Sequence, residues 1–287
     1  MDDFIRQLYQ DRAYDATTQA VISVERRNKE DSSTDYFDGV LLVIIDGHKL
    51  WEVKHYEHEG SILAMHIVNK EQIQEWLLHS SNRRVIEWMI NGKVLFDRNE
   101  YMKELRYKLT EFPQEERKKK IGIEFSKLVR RFADGKALFS QGHYLDSYNQ
   151  IVHALHHLAR LAVIEHGLYP EVTVWQQVKK IEPEIHKLYS ELATGSEPVE
   201  KRLELLLLAS EFELMTKTRL GSAHLIQLMR EKETWTIDEL KTIVGMSEYS
   251  LDLSMLVEYL VQKDIVQVSL HETKGRMIHH RYYQLSY

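Results

Sequence analysis

The chain has 287 residues, of which 43% are hydrophobic and 29% are charged, the ordinary balance of a globular protein with a sizeable core. Its formal net charge of -6 argues against a general polyanion-binding protein, and the absence of cysteine excludes disulfides, thiolate zinc sites and a cysteine nucleophile. A cysteine-free chain fits a cytoplasmic location, and no run approaches the ~18 apolar residues of a membrane span.

The first segment, residues 1–112, is predicted to be an α/β unit. It begins with a short helix whose apolar face carries Phe4, Ile5, Leu8 and Tyr9, and its acidic start is unlike a signal peptide. Strand patterns cover residues 17–24, 39–45, 50–56 and 61–68. Asp46-Gly47 is a turn signal that predicts a hairpin between the second and third of these strands. Two helices and a short edge strand near 94–96 complete a unit of four or five strands.

The second segment, residues 113–220, contains only helical patterns. Pro113 opens a basic stretch, and apolar residues then recur at helical spacing up to Pro170. More helices follow on both sides of the polar stretch 193–198. A helical bundle is therefore predicted.

The third segment, residues 221–287, combines three helices with a β-hairpin. The first helix is predicted to begin at Ser222, and Thr236 with Glu239 forms a capping box for the second, which should stop at Gly245. A third helix is predicted from about Ser247 to Gln262. The strands 265–271 and 277–285 then pair across a turn, which predicts a winged helix-turn-helix.

The stretch "TDYFDGVLLVII" places Asp35 and Asp38 at the entrance of an unbroken apolar run, which is typical of a strand buried on both faces. Such carboxylates could hold Mg²⁺ against a triphosphate, because Mg²⁺ prefers hard oxygen ligands and keeps several waters. In the alternative interpretation, Asp35 caps a turn and Asp38 is only the polar start of a strand.

The layout resembles the nucleotidyltransferase fold, in which a strand and a Gly-Ser turn precede a second strand that opens with Asp-x-Asp. The stretch "INGKVLFD" at residues 90–97 resembles the short strand that closes such domains. With the helical segment and the winged helix, the whole chain resembles the YgxA-like family of nucleotidyltransferase-like proteins. The predicted fold class is therefore α+β multidomain: a nucleotidyltransferase-like mixed sheet, an all-α helical bundle and a winged helix-turn-helix.

The resemblance implies an incomplete metal site. Asp38 matches the first metal carboxylate, Val40 stands where the second is expected, and Asp35 is the substitute metal ligand on this strand. Glu52 is a candidate for the third catalytic carboxylate, and His66 lines the site where that carboxylate is expected. Ser23 stands near the position of the Gly-Ser turn and is a candidate cofactor-binding residue.

The resemblance also implies Mg²⁺ and a nucleoside triphosphate as cofactors. Lys127 and Arg131, within the basic stretch 103–136, are candidates to line a cleft for the triphosphate or for RNA, with a solvated helix face as the alternative. The implied function is nucleotide binding, or transfer of a nucleotide to an acceptor that the sequence does not identify.

Two other chemistries are suggested by the helix near residue 155. Its histidines share helical spacing with a carboxylate and could bind zinc: Asp146, His153, His156 and His157. Arg160 and His166 are spaced like the Arg-x4-6-His motif of HEPN ribonucleases. Packing or solvation of the histidine-rich face is the simpler alternative.

The charge of the third segment argues against DNA binding. Residues 221–287 contain seven Lys or Arg and nine Asp or Glu, and the third helix is acidic through Glu248, Asp252 and Glu258. Recognition helices normally carry basic or amide side chains. A protein partner or self-association through the winged helix is therefore preferred over nucleic acid, and a non-enzymatic regulator is the alternative function.

Overall fold

A computed structural model describes residues 2–47, 51–79, 81–110, 114–243, 249, 252–275 and 277–286. The chain divides into two compact units, Met1–Pro113 and Gln114–Tyr287. In the described part of the chain, no helix is long and apolar enough to cross a membrane.

The first unit is a five-stranded mixed sheet with helices. Its strands are β1 (Thr18–Glu25), β2 (Gly39–Ile45), β3 (Glu52–His58), β4 (Ser61–Asn69) and β5 (Lys93–Asp97). Its helices are α1 (Asp2–Ala13), α2 (Lys70–His79), α3 (Arg83–Asn91) and α4 (Tyr101–Thr110). The short strand predicted near 94–96 is β5, and it lies at an edge of the sheet.

The strand order is β3-β4-β2-β1-β5, which places β2 at the centre. All seven residues of β2 are buried, so it needs a hydrogen-bonded partner on each side. These partners are β1, antiparallel, and β4, parallel. The hairpin expected between β2 and β3 is therefore wrong: β3 pairs with β4, and its alternating burial is that of an edge strand.

The two faces of the sheet have different coverings. The face that carries Leu41, Met65 and Ile67 packs in one apolar cluster with Ile5 of α1. Residues at intervening positions, such as Leu42 and His66, point to the other face because successive side chains of a strand alternate. This alternation decides which candidate side chains can meet.

The second unit begins with long helices. These are α5 (Gln114–Ser140), α6 (Tyr144–Glu165), α7 (Val174–Ile181), α8 (Pro183–Thr194) and α9 (Val199–Met229). The helix that was expected to begin at Ser222 is instead the last part of α9, because no proline interrupts the helix there.

Gly221 lies where α9 approaches α5, and a Cβ added there would clash with the ring of Phe125.

The end of the second unit has the predicted helix-turn-helix and hairpin. Its elements are α10 (Ile237–Ile243), α11 (Asp252–Gln262), β6 (Val266–Glu272) and β7 (His279–Leu285). The capping box is confirmed: the backbone N–H of Thr236 donates to Glu239 over 2.8 Å, and the backbone N–H of Glu239 donates to the Thr236 hydroxyl over 3.2 Å. The predicted helix stop at Gly245, the start at Ser247 and the acidic Glu248 lie outside the described residues.

Candidate functional site

The "TDYFD" stretch forms a compact turn before β2. The hydroxyl of Thr34 donates to the backbone oxygen of Phe37 over 2.6 Å, and the backbone N–H of Phe37 donates back to Thr34 over 3.0 Å. Asp35 and Tyr36 have φ angles of 52° and 68°, in the left-handed region. Asp tolerates that region better than most residues, so the turn accounts for the choice of residue at position 35.

Asp38 joins the starts of two neighbouring strands. Its carboxylate Oδ2 accepts the backbone N–H of Ile62 over 2.8 Å, and its own N–H donates to the Ile62 oxygen over 2.9 Å. The backbone oxygen of Asp38 accepts from the N–H of Arg26 over 3.0 Å. Asp38 therefore aligns the entrance of β2 with β4 on one side and with the end of β1 on the other.

The second carboxylate of the stretch points to a helix. Asp35 forms an ion pair with Arg84 of α3, and both side chains are partly exposed. The guanidinium of Arg84 lies beside the Asp35 carboxylate, where a metal ion would have to bind. The Asp35 carboxylate is therefore already matched by a positive charge from the protein.

The carboxylate of Glu52 does not lie near that of Asp38. Glu52 is opposite Ile67 in the sheet register, whereas Asp38 bonds to Ile62, so the two lie about five positions, or ~17 Å, apart along the strands. Glu52 also shares the sheet face of Ile67, the face covered by α1, while Asp38 belongs to the alternate face. Glu52 is instead ion-paired with Lys54 at 3.1 Å.

His66 lies on the same sheet face as Asp38 but deeper. It is opposite Leu42, four positions or about 13 Å along the strands from Asp38. The indole Nε1 of Trp51 donates to its Nδ1 over 3.3 Å, and the ring of Trp88 packs edge-on with centroids 5.0 Å apart. Burial, with a smaller contribution from His55, lowers the pKa of His66 to about 4. The imidazole is thus a neutral member of an aromatic cluster.

These positions do not fit the Mg²⁺ site that the resemblance implies. One Asp38 oxygen accepts a backbone N–H, Asp35 is paired with Arg84, and Glu52 lies on the other face. No group of three or more His, Asp or Glu among the residues that the structure describes could hold a metal ion. The metal site remains a prediction that this set of ligands does not favour.

Ser23 borders an open cleft of about 630 Å³ in the first unit. It is buried near the end of β1, between Leu41 of β2 and Lys93 of β5. The charged residues lining the cleft are Glu25, Arg27, Glu30, Asp31, Glu87 and Lys93. Four carboxylates against two cations make a cleft that disfavours a bare phosphate chain.

Lys127 and Arg131 lie on a polar face of α5 in the second unit. Lys120, Glu124, Lys127 and Arg131 follow each other at intervals of four, three and four, which is one face of a helix. On α6, the side chains that meet this face are Gln150, His157 and Arg160. We refer to these seven residues as the α5–α6 polar face.

Glu124 is the centre of the α5–α6 polar face and is completely buried. His157 Nδ1 lies 2.7 Å from its Oε2, and the Arg160 guanidinium lies 3.7 Å from the same oxygen. Burial raises the pKa of Glu124, but the hydrogen bond from His157 and the charges of His157, Lys127 and Arg160 outweigh it and lower the pKa to about 2. Glu124 is therefore held as a carboxylate.

Positive charge exceeds negative charge on this face. Lys120 is almost fully buried, with its ammonium 4.4 Å from the ring centre of Tyr169. Burial lowers the pKa of Lys120 to about 7; Glu124 opposes this, while Lys127 and Arg160 add to it. Arg131 donates to Gln150 over 2.9 Å. Burial lowers the pKa of His153, and the charge of Arg131 adds to that lowering.

The zinc and ribonuclease hypotheses from the same helix are not supported by these positions. His157 bonds to Glu124, whereas His156 packs against Trp175 with ring centres 5.2 Å apart, so the histidines diverge. Arg160 turns to Glu124, whereas His166 donates to the Ala162 oxygen over 2.9 Å. His157 and Arg160 therefore meet at Glu124, whereas His156 and His166 each contact a different partner.

Glu124 is the residue that sequence reasoning missed. It lies inside the otherwise largely apolar stretch "IGIEFSKLV", residues 121–129. The signal that could have identified Glu124 is a single carboxylate at a position where the helical spacing of apolar residues predicts burial. A carboxylate can be buried there only if the fold supplies a partner for its charge.

Comparisons with known proteins agree with this architecture. The matching family models are described as nucleotidyltransferase-like over residues 1–117, YgxA-like substrate binding domain over 118–217 and helix-turn-helix domain over 223–285. The "Uncharacterized protein YgxA" of Bacillus subtilis (strain 168) is 49% identical over 284 residues, which cover 99% of this chain and 97% of the relative.

A solved structure is similar over the same length. The crystal structure of a nucleotidyltransferase-like protein from Exiguobacterium sibiricum 255-15 has 39% sequence identity and a TM-score of 0.82, and the match covers 98% of this chain and 97% of that one. The predicted fold class, with a mixed sheet, a helical middle and a C-terminal helix-turn-helix, is confirmed.

Proposed function

Because this chain belongs to the YgxA-like family of nucleotidyltransferase-like proteins, we propose that it binds a nucleotide on a transferase-like scaffold and does not transfer it. The observation that carries the proposal is the excess of positive charge on the α5–α6 polar face. The engagement of Asp38 and Asp35 with the protein's own groups supports the absence of transfer.

The phosphate groups of the nucleotide are assigned to the α5–α6 polar face. Lys127, Arg131 and Arg160 supply three positive charges beside the single carboxylate of Glu124, and all three are partly buried. Uncompensated charge that is partly removed from water is costly, and a phosphate would relieve that cost. Arg is well suited to the task because its planar guanidinium can donate two parallel hydrogen bonds to phosphate oxygens.

The acidic cleft beside Ser23 is the less suitable place for phosphates. Its lining carries four carboxylates, and the Asp31 carboxylate already accepts the backbone N–H groups of Ser33 and Arg27, over 2.8 and 3.1 Å. A triphosphate in this cleft would need a cation to screen it. A role for Ser23 in binding the nucleotide remains a prediction.

Calorimetric titration of the full chain with nucleoside triphosphates, without divalent metal, tests the assignment. Lys127→Met and Arg131→Met should each weaken binding by about 10-fold or more, because a hydrogen bond to a charged group contributes about 1.5–3 kcal/mol. Lys136→Met is the matched control, since Lys136 is an exposed cation of the same helix that pairs with Glu211 at 3.0 Å. Equal affinity in all variants would contradict the proposal.

A turnover assay separates binding from transfer. Labelled nucleotide incubated with the protein and Mg²⁺ or Mn²⁺ should be recovered unchanged, because the carboxylates needed for metal-assisted transfer are engaged elsewhere. Turnover that depends on metal and is lost in Asp38→Asn would instead restore the transferase hypothesis and assign Asp38 a metal.

A second candidate function is recognition of a protein partner by the helix-turn-helix region. Two of its acidic groups hold cations already, since Glu258 pairs with Arg281 at 3.0 Å and Asp252 pairs with Arg130. In these pairs the basic side chains are engaged with carboxylates and are less able to bind the phosphates of DNA.

The cytoplasmic location remains a prediction.

A further inference from the structure

One ion pair on the α5–α6 polar face contains two buried polar atoms without a partner. The Oε2 oxygen of Glu124 lies 2.7 Å from His157 and 3.7 Å from Arg160, whereas its Oε1 oxygen accepts no hydrogen bond from any described residue. The Nε–H of Arg160 is also buried and donates to no group in the described part of the chain. Folded proteins leave few buried polar atoms unsatisfied, so these two atoms indicate a missing partner.

The chemistry of the two atoms defines that partner. Glu124 is held as a carboxylate, so its Oε1 can only accept a hydrogen bond, and the guanidinium of Arg160 can only donate one. The partner must therefore donate to one atom and accept from the other. A phosphate group does not meet both needs, because its charged oxygens accept hydrogen bonds and repel a carboxylate. Hydroxyl groups meet both, since each can donate or accept.

We propose that Glu124 and Arg160 bind the sugar of the nucleotide and select a ribonucleotide over a deoxyribonucleotide. One hydroxyl of the ribose 2′,3′-diol donates to Glu124 Oε1, and the other accepts from Arg160 Nε. This assignment rests on the proposed function, because it takes the phosphate groups to lie beside Lys127 and Arg131. It adds the class of nucleotide and the two residues that distinguish it.

Positions along α5 favour the sugar over the base as the group that reaches this ion pair. Glu124 precedes Lys127 by three residues and Arg131 by seven, which are rises of about 4.5 Å and about 10.5 Å along the helix. The sugar is bonded directly to the phosphate chain, so it is the next part of the ligand beyond the phosphates. Glu124 lies within one helical turn of Lys127 and is therefore in the place of the sugar.

The side chains around Glu124 determine how a ligand reaches it. The Glu124 carboxylate is completely buried, but the side chains of His157 and Arg160 that contact it are 13% and 17% exposed. Lys127, whose charge acts on Glu124, is also partly exposed. Partly exposed side chains of this length change rotamer rapidly, so their rotation gives a sugar hydroxyl access to Oε1.

Calorimetric titration of the full chain without divalent metal tests the proposal. The ligands are ATP, GTP, CTP and UTP, each compared with its 2′-deoxy and 3′-deoxy counterparts. Each deoxy analogue should bind about 10-fold more weakly or worse, because it loses a hydrogen bond to a charged group. Equal affinities would overturn the proposal and leave water as the partner of the two atoms. Discrimination among bases that exceeds discrimination between sugars would also overturn it and assign the ion pair to the base.

Variants of the ion pair are compared by the ratio of ribonucleotide to deoxyribonucleotide affinity. Glu124→Gln and Arg160→Lys should each lower this ratio, because the first removes the charged acceptor and the second removes the Nε donor. Arg160→Lys keeps the positive charge and supplies the result if Glu124→Gln does not fold by circular dichroism. Lys127→Met is the control: it should weaken binding of both sugars alike and keep the ratio. A ratio unchanged in the folded ion-pair variants would overturn the assignment.

Inorganic tripolyphosphate separates this inference from the proposed function, because it has the phosphate chain without the sugar. It should bind, but more weakly than the ribonucleotides. If it binds while ribonucleotides and deoxyribonucleotides bind equally, the proposed function stands and only the ribose assignment is wrong. If neither tripolyphosphate nor any nucleotide binds, both are wrong.

Discussion

Asp38 shows at the scale of one residue why a carboxylate at a strand entrance need not mark a metal. The β2 strand is central and buried, so its first residues must align two neighbours at once. A carboxylate beside the strand end satisfies the N–H of Ile62, which starts the ladder with β4. The same position that suits a metal ligand also suits this structural hydrogen bond.

Replacing Asp38 separates the two roles. Asp38→Ala should lower the free energy of unfolding by about 0.5–1.5 kcal/mol, because the Ile62 N–H loses its partner. Asp38→Asn should keep most of that stability, because the amide oxygen still accepts the bond. Urea unfolding with and without Mg²⁺ measures both. A metal-dependent gain in the wild type that vanishes in Asp38→Asn would show a metal ligand.

His66 gives a pH prediction at the same scale. Its folded pKa is lowered to about 4 from an ordinary value of 6.5, so the unfolded chain binds the proton first as the pH falls. The stabilising contribution of the neutral imidazole is complete above pH 6.5 and is lost progressively as the pH falls towards 4. Unfolding free energies measured across this range should fall less steeply in His66→Phe than in the wild type.

The control for that measurement is His143→Asn, which removes an exposed histidine at the start of α6. It should leave the slope between pH 6.5 and 4 unchanged. Equal slopes in His66→Phe and the wild type would show that His66 does not account for the loss of stability in acid.

At the scale of elements, close helix packing determines where glycine is required. In α9, Gly221 lies mid-helix and would be expected to weaken the helix. Its lack of a side chain instead lets Phe125 of α5 approach the α9 backbone. The buried hydrogen bond between Thr218 and Tyr259, at 2.7 Å, joins the same stretch of α9 to α11.

Gly221→Ala should therefore destabilise the protein by about 1–3 kcal/mol, the range for overpacking a core. In an open helix the same change would stabilise by up to about 1 kcal/mol, so the sign of the effect is diagnostic. Thermal unfolding is the measurement. Phe125→Leu combined with Gly221→Ala should cost less than the sum of the two single changes, and strict additivity would show that the contact is not responsible.

At the scale of the molecule, the charge distribution separates the two ends of the second unit. The α5–α6 polar face has positive charge in excess, whereas residues 221–287 carry seven basic and nine acidic side chains. The family model describes the latter region as a helix-turn-helix domain. Its fold is thus that of many DNA-binding domains, but its charge is not.

Duplex DNA should accordingly bind the full chain weakly and with a shallow dependence on salt, because few phosphates can be neutralised. Fluorescence anisotropy with a random-sequence duplex measures both quantities. A sub-micromolar dissociation constant at physiological salt with a steep salt slope would contradict this and favour DNA as the partner of the helix-turn-helix.

The sequence by itself determined the features that depend on neighbours a few positions apart. The alternation of β3, the unbroken apolar run of β2 and the capping box at Thr236 and Glu239 were all readable, because each pattern repeats within a few residues. The order of domains followed from the change from strand to helix patterns and back.

Only the tertiary structure decided which distant groups meet. The pairing of β2 with β4 rather than β3, the bond from Ile62 to Asp38 and the burial of Glu124 beside His157 and Arg160 join residues that are remote in sequence. Local patterns state which face of an element is apolar, but they do not state which element covers it. The partner of each candidate carboxylate is fixed by that packing, and so is its chemistry.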